Sequence, residues 1–276
     1  MAVIVTDVDG TLLVHGKTDP GSIAILKKLQ ERHHLILATG RDQESVRFLV
    51  EKLDMEHYKT GALILLNGME MIDFRDREHI KKPGLSCEQT LSAIKALKKY
   101  CLQVYIVGEG THWRIPSVFE PLFHLLPIKK VKKVLSRPRI EHLPSSIDKI
   151  AILGYFGTKR RLMNLERSEN LSYIKIGKFW DEIVPEGCDK AKMVERYMRK
   201  HHIRPDDLYV FGDGQNDAAM LRLTGNSYAP KNALPCAKKA ARHVFTPGSM
   251  AKVAYSELHA RHDLHGQKHG KEQKDH

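Results

Sequence analysis

Cysteine is scarce: Cys87, Cys101, Cys188 and Cys236 are spread over 276 residues with no C-x-x-C pair. That spacing argues against a zinc site or a disulfide framework and suits a reducing cytoplasm. Long apolar runs are missing too, and no stretch approaches the roughly 20 apolar residues of a membrane span. The N-terminus, Met1-Ala2-Val3-Ile4-Val5-Thr6-Asp7, has no basic segment ahead of its short apolar run, which speaks against a secretory signal. Aromatic residues make up only 7% of the chain. The basic cluster Lys129, Lys130, Lys132, Lys133, Arg137 and Arg139 therefore has no interleaved ring to stack on a base. No nucleic-acid groove and no membrane contact are expected.

What remains is an ordinary globular composition, 42% hydrophobic and 28% charged, long enough for about two domains or one large domain with an insertion. The net charge of +12 is uneven. Residues 1–82 hold 12 basic and 13 acidic side chains, residues 83–184 hold 17 and 9, and residues 185–276 hold 16 and 11. The basic middle segment suits an anionic partner.

Ala2–Thr6 reads as a buried parallel strand and Asp19-Pro20 as a helix start, with Ile23, Leu26 and Leu29 at helical spacing. Leu35–Ala38 is the next strand, Gln43 to about Leu53 a helix, and Ala62–Leu66 a third strand. This β-α-β-α-β order implies a parallel, right-handed doubly wound sheet. Lys81-Lys82-Pro83-Gly84 looks like a hinge. Beyond it the pattern turns α+β, with a helix near Glu88–Tyr100, strands at Leu102–Val107, Lys149–Leu153, Tyr173–Ile176 and Phe179–Val184, and a helix near Lys159–Arg167. After a second hinge at Pro185-Glu186-Gly187 the α/β rhythm returns, with helix Lys190–Lys200, strand Leu208–Phe211 and helix Gln215–Leu223. The polar, His-rich tail from about Ser256 is expected to fray.

Four stretches carry chemistry. Asp7-Val8-Asp9-Gly10-Thr11-Leu12 leaves the first strand with two carboxylates near one point. Thr39-Gly40-Arg41 ends the second strand and offers a hydroxyl and free N–H groups to an anion. Gly187-Cys188-Asp189-Lys190 opens a helix with a point charge for phosphate. Gly212-Asp213-Gly214-Gln215-Asn216-Asp217 ends a later strand. Taken singly, Thr39 is a helix cap, Lys190 a surface charge and the last loop a turn. Together they gather at the carboxyl edge of one sheet, where such sheets bind ligands. Clustered acidic oxygens there suit Mg²⁺ rather than zinc.

These motifs resemble those of haloacid dehalogenase superfamily phosphatases of the Cof type. Asp7–Leu12 matches the first superfamily motif, Thr39 the second, Lys190 the third and Gly212–Asp217 the fourth, and Asn67-Gly68 is also typical. The resemblance implies a discontinuous α/β core over 1–82 and 185–276, with an inserted α+β cap over 83–184 that sets substrate specificity. It implies Asp7 as nucleophile and Asp9 as general acid/base. Mg²⁺ would be held by Asp7, the Asp9 carbonyl and Asp213. Thr39, Lys190, Asn216 and the backbone N–H groups after Asp7 would hold phosphoryl oxygens, Gly40 would border the substrate, and Asp217 would anchor Lys190 or stand in the metal's outer shell. Arg41 would touch substrate or form a structural salt bridge. Asp9 itself points to phosphoryl transfer, because halide release needs no such acid.

The expected enzyme is a cytoplasmic, Mg²⁺-dependent phosphatase, a monomer or weak dimer, acting on a small phosphorylated metabolite with a sugar phosphate favoured. Three alternatives stand beside it. They are a phosphomutase, a phosphatase for a phosphorylated cofactor such as pyridoxal phosphate, and a non-catalytic phosphate-binding regulator on the same scaffold. A cofactor ring could stack on Trp113, Phe119, Phe123 or Trp180, although each reads first as cap core.

Overall fold

The computed structural model describes residues 1–119, 133–134, 139–176 and 179–260. Two sheets organise the described residues. The larger contains β1 (Val3–Thr6), β2 (His34–Ala38), β3 (Gly61–Leu65), β4 (Glu70–Asp73), β5 (Glu78–Lys81), β12 (Leu208–Phe211), β13 (Ser227–Pro230) and β14 (His243–Phe245), in the spatial order β14-β13-β12-β1-β2-β3-β4-β5. Six strands run parallel, and β4 and β5 close one edge as an antiparallel hairpin.

Helices cover both faces of this sheet. Apolar side chains of β1 alternate, with Ile4 packing on one side and Val3 and Val5 on the other. The first side holds α1 (Pro20–Gln30), α2 (Gln43–Leu53) and a helix over 250–260. Asp19 and Asp42 cap α1 and α2 by accepting from the Ser22 and Ser45 backbone N–H groups. The second side holds the helices Lys190–Lys200, Ala218–Leu221 and Pro235–Ala240.

The smaller sheet contains β6 (Cys101–Gly108), β7 (Thr111–Ile115), β8 (Lys133–Val134), β9 (Lys149–Tyr155), β10 (Leu171–Lys175) and β11 (Trp180–Pro185), ordered β10-β11-β9-β6-β7-β8. Its pairings are antiparallel except β7 with β8. Helices Cys87–Leu97 and Lys159–Glu169 bury one face, against Ile150 and Ile152 among others. The chain passes between the sheets twice, and Lys82 Nζ ties the two crossings together by donating to the Gly187 carbonyl at 2.7 Å.

Several sequence expectations need correction. A helix over Gln215–Leu223 is instead a 3₁₀ turn at Gln215–Asp217 followed by a short helix at Ala218–Leu221. Asp217 turns its carboxylate back onto the backbone N–H groups of Asp213 and Gly214, tightening the turn. The chain does not fray from Ser256: the helix runs to residue 260, and Leu258 is buried in the core. The tail beyond 260 lies outside the described residues, as do Phe123, Lys129, Lys130, Lys132 and Arg137. No helix among the described residues is long and apolar enough to cross a membrane.

Candidate active site

Strand order puts β1 beside β12, with β2 and β3 on one side and β13 and β14 on the other. The winding therefore reverses between β1 and β12, and in open α/β sheets the crevice at the carboxyl ends of such strands receives ligand. Asp7 follows β1 directly and Asp213 follows β12 two residues on. The Asp7 N–H donates to the Phe211 carbonyl at 2.9 Å, which fixes the first loop against the last. Gly10 permits the approach of the loops. Its φ is +94°, and a Cβ there would lie 2.3 Å from Asp213 Oδ2.

Lys190 comes from the first turn of its helix and is fully buried. Its ammonium donates to Asp7 Oδ1 at 2.6 Å and to Asp217 Oδ1 at 2.7 Å. Burial alone would lower the Lys190 pKa, but Asp217 and Asp7 outweigh it and hold the ammonium charged. The other Asp217 oxygen accepts from the N–H groups of Asp213 and Gly214 at 3.0 and 2.8 Å. Both oxygens are thus engaged, and Asp217 is placed as the anchor of Lys190. Gly68 lets the turn after β3 lie against this helix start, since a Cβ there would be 2.3 Å from the Asp189 carbonyl.

Asp7, Asp213 and Asp217 present carboxylate oxygens within 4.8 Å of one another. Burial, then Asp217, push the Asp7 carboxyl well above the usual carboxylate range, against the pull of Lys190. Burial and Asp217 likewise push Asp213 up to about 6, while Thr11 Oγ1 donates to its Oδ1 at 2.8 Å. Such crowded carboxylates are relieved by a proton or a cation, and an all-oxygen set matches a hard divalent ion.

Asp9 has a different environment. Its side chain is half exposed, and Arg41 grips it with Nε and Nη2, both at 2.7 Å. Arg41 is therefore placed by a salt bridge. Thr39 lies buried at the end of β2, its hydroxyl accepting from the Arg41 N–H at 3.1 Å. Eight of the nine residues singled out in the sequence line one cleft of about 120 Å³, and the ninth, Lys190, sits directly behind it.

Other lining residues were not anticipated. Lys149, Ile176 and Glu182 reach the cleft from the smaller sheet. Lys149 Nζ donates to the Gly40 carbonyl at 2.7 Å and to Glu182 Oε1 at 2.5 Å. Glu182 Oε2 accepts from Asn67 Nδ2 at 2.7 Å, and Asn67 Oδ1 accepts from Asn216 Nδ2 at 2.9 Å. Asn216 is thus tied to Asn67 here. A charged residue opening an otherwise apolar strand, as Lys149 does, was the available signal, but it carries no motif. Of the basic excess in residues 83–184, Lys149 alone reaches the cleft lining among the described residues, and Glu182 neutralises it. The proposed stacking rings stand elsewhere. Trp113 is in the smaller sheet's core, Phe119 packs on Phe156, and Trp180 packs on Tyr105.

Residues 4–255 match the family model of haloacid dehalogenase-like hydrolases. The chain belongs to that family. Along nearly its whole length this hydrolase is similar to a Streptococcus pyogenes serotype M6 protein provisionally named a phosphatase, 23% identical over 92% of this chain and 96% of the relative. It is 25% identical to the pyridoxal phosphate phosphatase of Escherichia coli K12 over 93% of this chain and 98% of that one. Its fold matches a solved subclass IIB sugar phosphatase of the superfamily with a TM-score of 0.69, at 18% identity, covering 94% of this hydrolase and 98% of the neighbour.

Proposed function

We propose that this Cof-type hydrolase is a Mg²⁺-dependent phosphatase of a small phosphorylated metabolite, with a sugar phosphate as the favoured substrate. One observation carries the reading: a buried Asp7 carboxylate, held by Lys190 at the sheet's switch point, stands two residues before a solvent-accessible Asp9. A buried, oriented carboxylate is a competent nucleophile, and an accessible one can exchange protons with leaving group and water.

In the first step an Asp7 oxygen forms a bond to phosphorus as the ester P–O bond breaks. A protonated Asp9 gives its proton to the departing oxygen. In the second step Asp9 accepts a proton from water, whose oxygen attacks phosphorus and breaks the aspartyl-phosphate. Inorganic phosphate leaves and Asp7 is restored. The Asp9 carboxylate must release Arg41 to carry a proton, so the salt bridge marks a resting arrangement. Thr39, Asn216, Lys190 and the N–H groups after Asp7 would hold phosphoryl oxygens as charge redistributes.

Mg²⁺ fits the donor set. Asp7 and Asp213 would hold it with the Asp9 carbonyl, leaving Asp217 on Lys190. When bound, the ion would screen the Asp7 charge from the incoming phosphate. The segment 83–184 is read as a cap that closes the cleft, hinged near 82–84 and 185–187. A cytoplasmic location is consistent with the four free thiols. A second reading, a pyridoxal phosphate phosphatase, rests on the Escherichia coli relative.

The test is phosphate release from sugar phosphates, nucleotides, pyridoxal phosphate and p-nitrophenyl phosphate, with Mg²⁺ and with chelator. Mg²⁺-dependent release that vanishes in Asp7→Asn supports the proposal. Release that persists in Asp7→Asn refutes the nucleophile, and a requirement for a bisphosphate activator moves the reading to a phosphomutase.

A further inference from the structure

The wall opposite the catalytic carboxylates is built from one buried ion pair. Lys149 and Glu182 come from adjacent antiparallel strands and share the sheet face that meets the cleft, whereas Ile150 and Ile152 point to the helices. Both charged side chains are nearly buried, at 9% and 12% exposed. Holding two sheets together does not require this. A buried pair loses so much hydration that apolar residues of similar volume often stabilise a contact equally well.

The pair keeps hydrogen-bonding capacity. The ammonium has three N–H donors, and two go to Gly40 O and Glu182 Oε1. The two Glu182 oxygens offer about four acceptor sites, and Lys149 and Asn67 use one each. A donor beside an acceptor matches hydroxyl groups, each of which both gives and takes a hydrogen bond. The wall does not suit a second anion. Among the described residues the wall's own cation, Lys149, is neutralised by Glu182, Lys190 is held by Asp7 and Asp217, and Arg41 pairs with Asp9 in the resting arrangement. An aromatic ring finds no stacking partner among the described lining residues.

We infer that Lys149 and Glu182 are specificity-determining residues that select a monophosphate whose leaving group is neutral and hydroxylated, and that disfavour substrates with a second anionic group. This inference rests on the phosphatase reading and deepens it. Glu182 acts by excluding as well as by binding, since its charge is what denies Lys149 to another phosphate.

The experiment compares full-length wild type, Lys149→Met and Glu182→Gln on a hexose monophosphate, a hexose bisphosphate and p-nitrophenyl phosphate. Wild type should favour the monophosphate over the bisphosphate by at least about tenfold in kcat/KM. Lys149→Met should lose at least about tenfold on the monophosphate, chiefly in KM, and clearly less on p-nitrophenyl phosphate, whose leaving group has no hydroxyls for the wall. Circular dichroism reports whether the variant folds. Glu182→Gln should lower KM for the bisphosphate and narrow the preference. A wild type that prefers the bisphosphate overturns the inference. So does an equal loss on all three esters in Lys149→Met, or an unchanged preference in Glu182→Gln. Failure of the phosphatase reading looks different, with no phosphate released from any ester. Calorimetric binding of the two hexose phosphates to wild type and Glu182→Gln then decides: tighter monophosphate binding that Glu182→Gln erodes supports the inference, and the reverse order overturns it.

Discussion

Lys190 Nζ lies 2.6 Å from Asp7 Oδ1, joining two residues 183 positions apart in the chain. The ammonium opposes the burial and the Asp217 charge that raise the Asp7 pKa. Removing it strands the Asp7 and Asp217 charges. Lys190→Met should destabilise the protein by about 3–5 kcal/mol, read as a lower denaturation midpoint, and should abolish turnover. Asp7→Asn should also abolish turnover, by at least about a thousandfold, yet leave the melting temperature unchanged or higher. A Lys190→Met protein as stable as wild type would contradict this account of the pair.

In the proposed mechanism Asp9 acts twice, first as acid and then as base. p-Nitrophenolate leaves without protonation, so Asp9→Asn should still release one equivalent from p-nitrophenyl phosphate and then stall as the aspartyl-phosphate. Steady-state turnover should fall by at least about a hundredfold. Rapid-mixing absorbance measures the burst, and steady turnover at the wild-type rate would rule out the role. The Asp9–Arg41 pair is partly exposed, so Asp9→Asn should shift stability by no more than about 1 kcal/mol.

Crowded Asp7 and Asp213 carboxylates predict a stabilising response to Mg²⁺. The melting temperature should rise with Mg²⁺ and fall back with chelator. Asp213→Asn should lose that response while melting no lower than wild type in chelator, because it removes a buried like charge. Gly10→Ala places a methyl group against Asp213 at a φ of +94°, and should cost about 1–2 kcal/mol and weaken the Mg²⁺ response. Scanning calorimetry with and without the ion checks both variants.

His34 carries a pH dependence away from the active site. It is buried at the start of β2, with its Nδ1 2.5 Å from the Tyr197 hydroxyl. Burial, then His201 and Arg75, push its pKa from 6.5 down to about 4. The unfolded chain therefore binds the extra proton between those values, and the neutral imidazole's stability is full above pH 6.5 and lost as pH falls toward 4. Unfolding free energies from urea titrations should fall over that window by up to about 3 kcal/mol more in wild type than in His34→Gln. Parallel curves for the two proteins would remove His34 as the cause.

The parallel strands β1, β2, β3 and β12 were legible because each is a short apolar run closed by polar or glycine residues. Helix α1 was legible from Asp19-Pro20, and α2 from the helical spacing of Val46, Leu49, Val50 and Leu53. The hairpin of β4 and β5 was not, because Glu78-His79-Ile80-Lys81 has one apolar residue in four and reads as loop. Glu70 and Asp73 on β4 are buried with partners from elsewhere, Glu70 on His79 and Lys81 and Asp73 on Lys200 and His201. Strands β7, β13 and β14 are three to five residues long, too short for a period to show.

By itself the sequence determined which residues of the core meet at the cleft. Asp7, Asp9, Thr39, Lys190, Asp213 and Asp217 stand at strand ends or a helix start, positions fixed by local patterning and by one sheet topology. Tertiary structure alone decided how they pair: Lys190 between Asp7 and Asp217, Arg41 on Asp9, Asn216 on Asn67. It also decided that Lys149 and Glu182 form the facing wall. Those contacts join residues from different strands and loops, and no local periodicity encodes the distance between two side chains that meet only when the sheets pack.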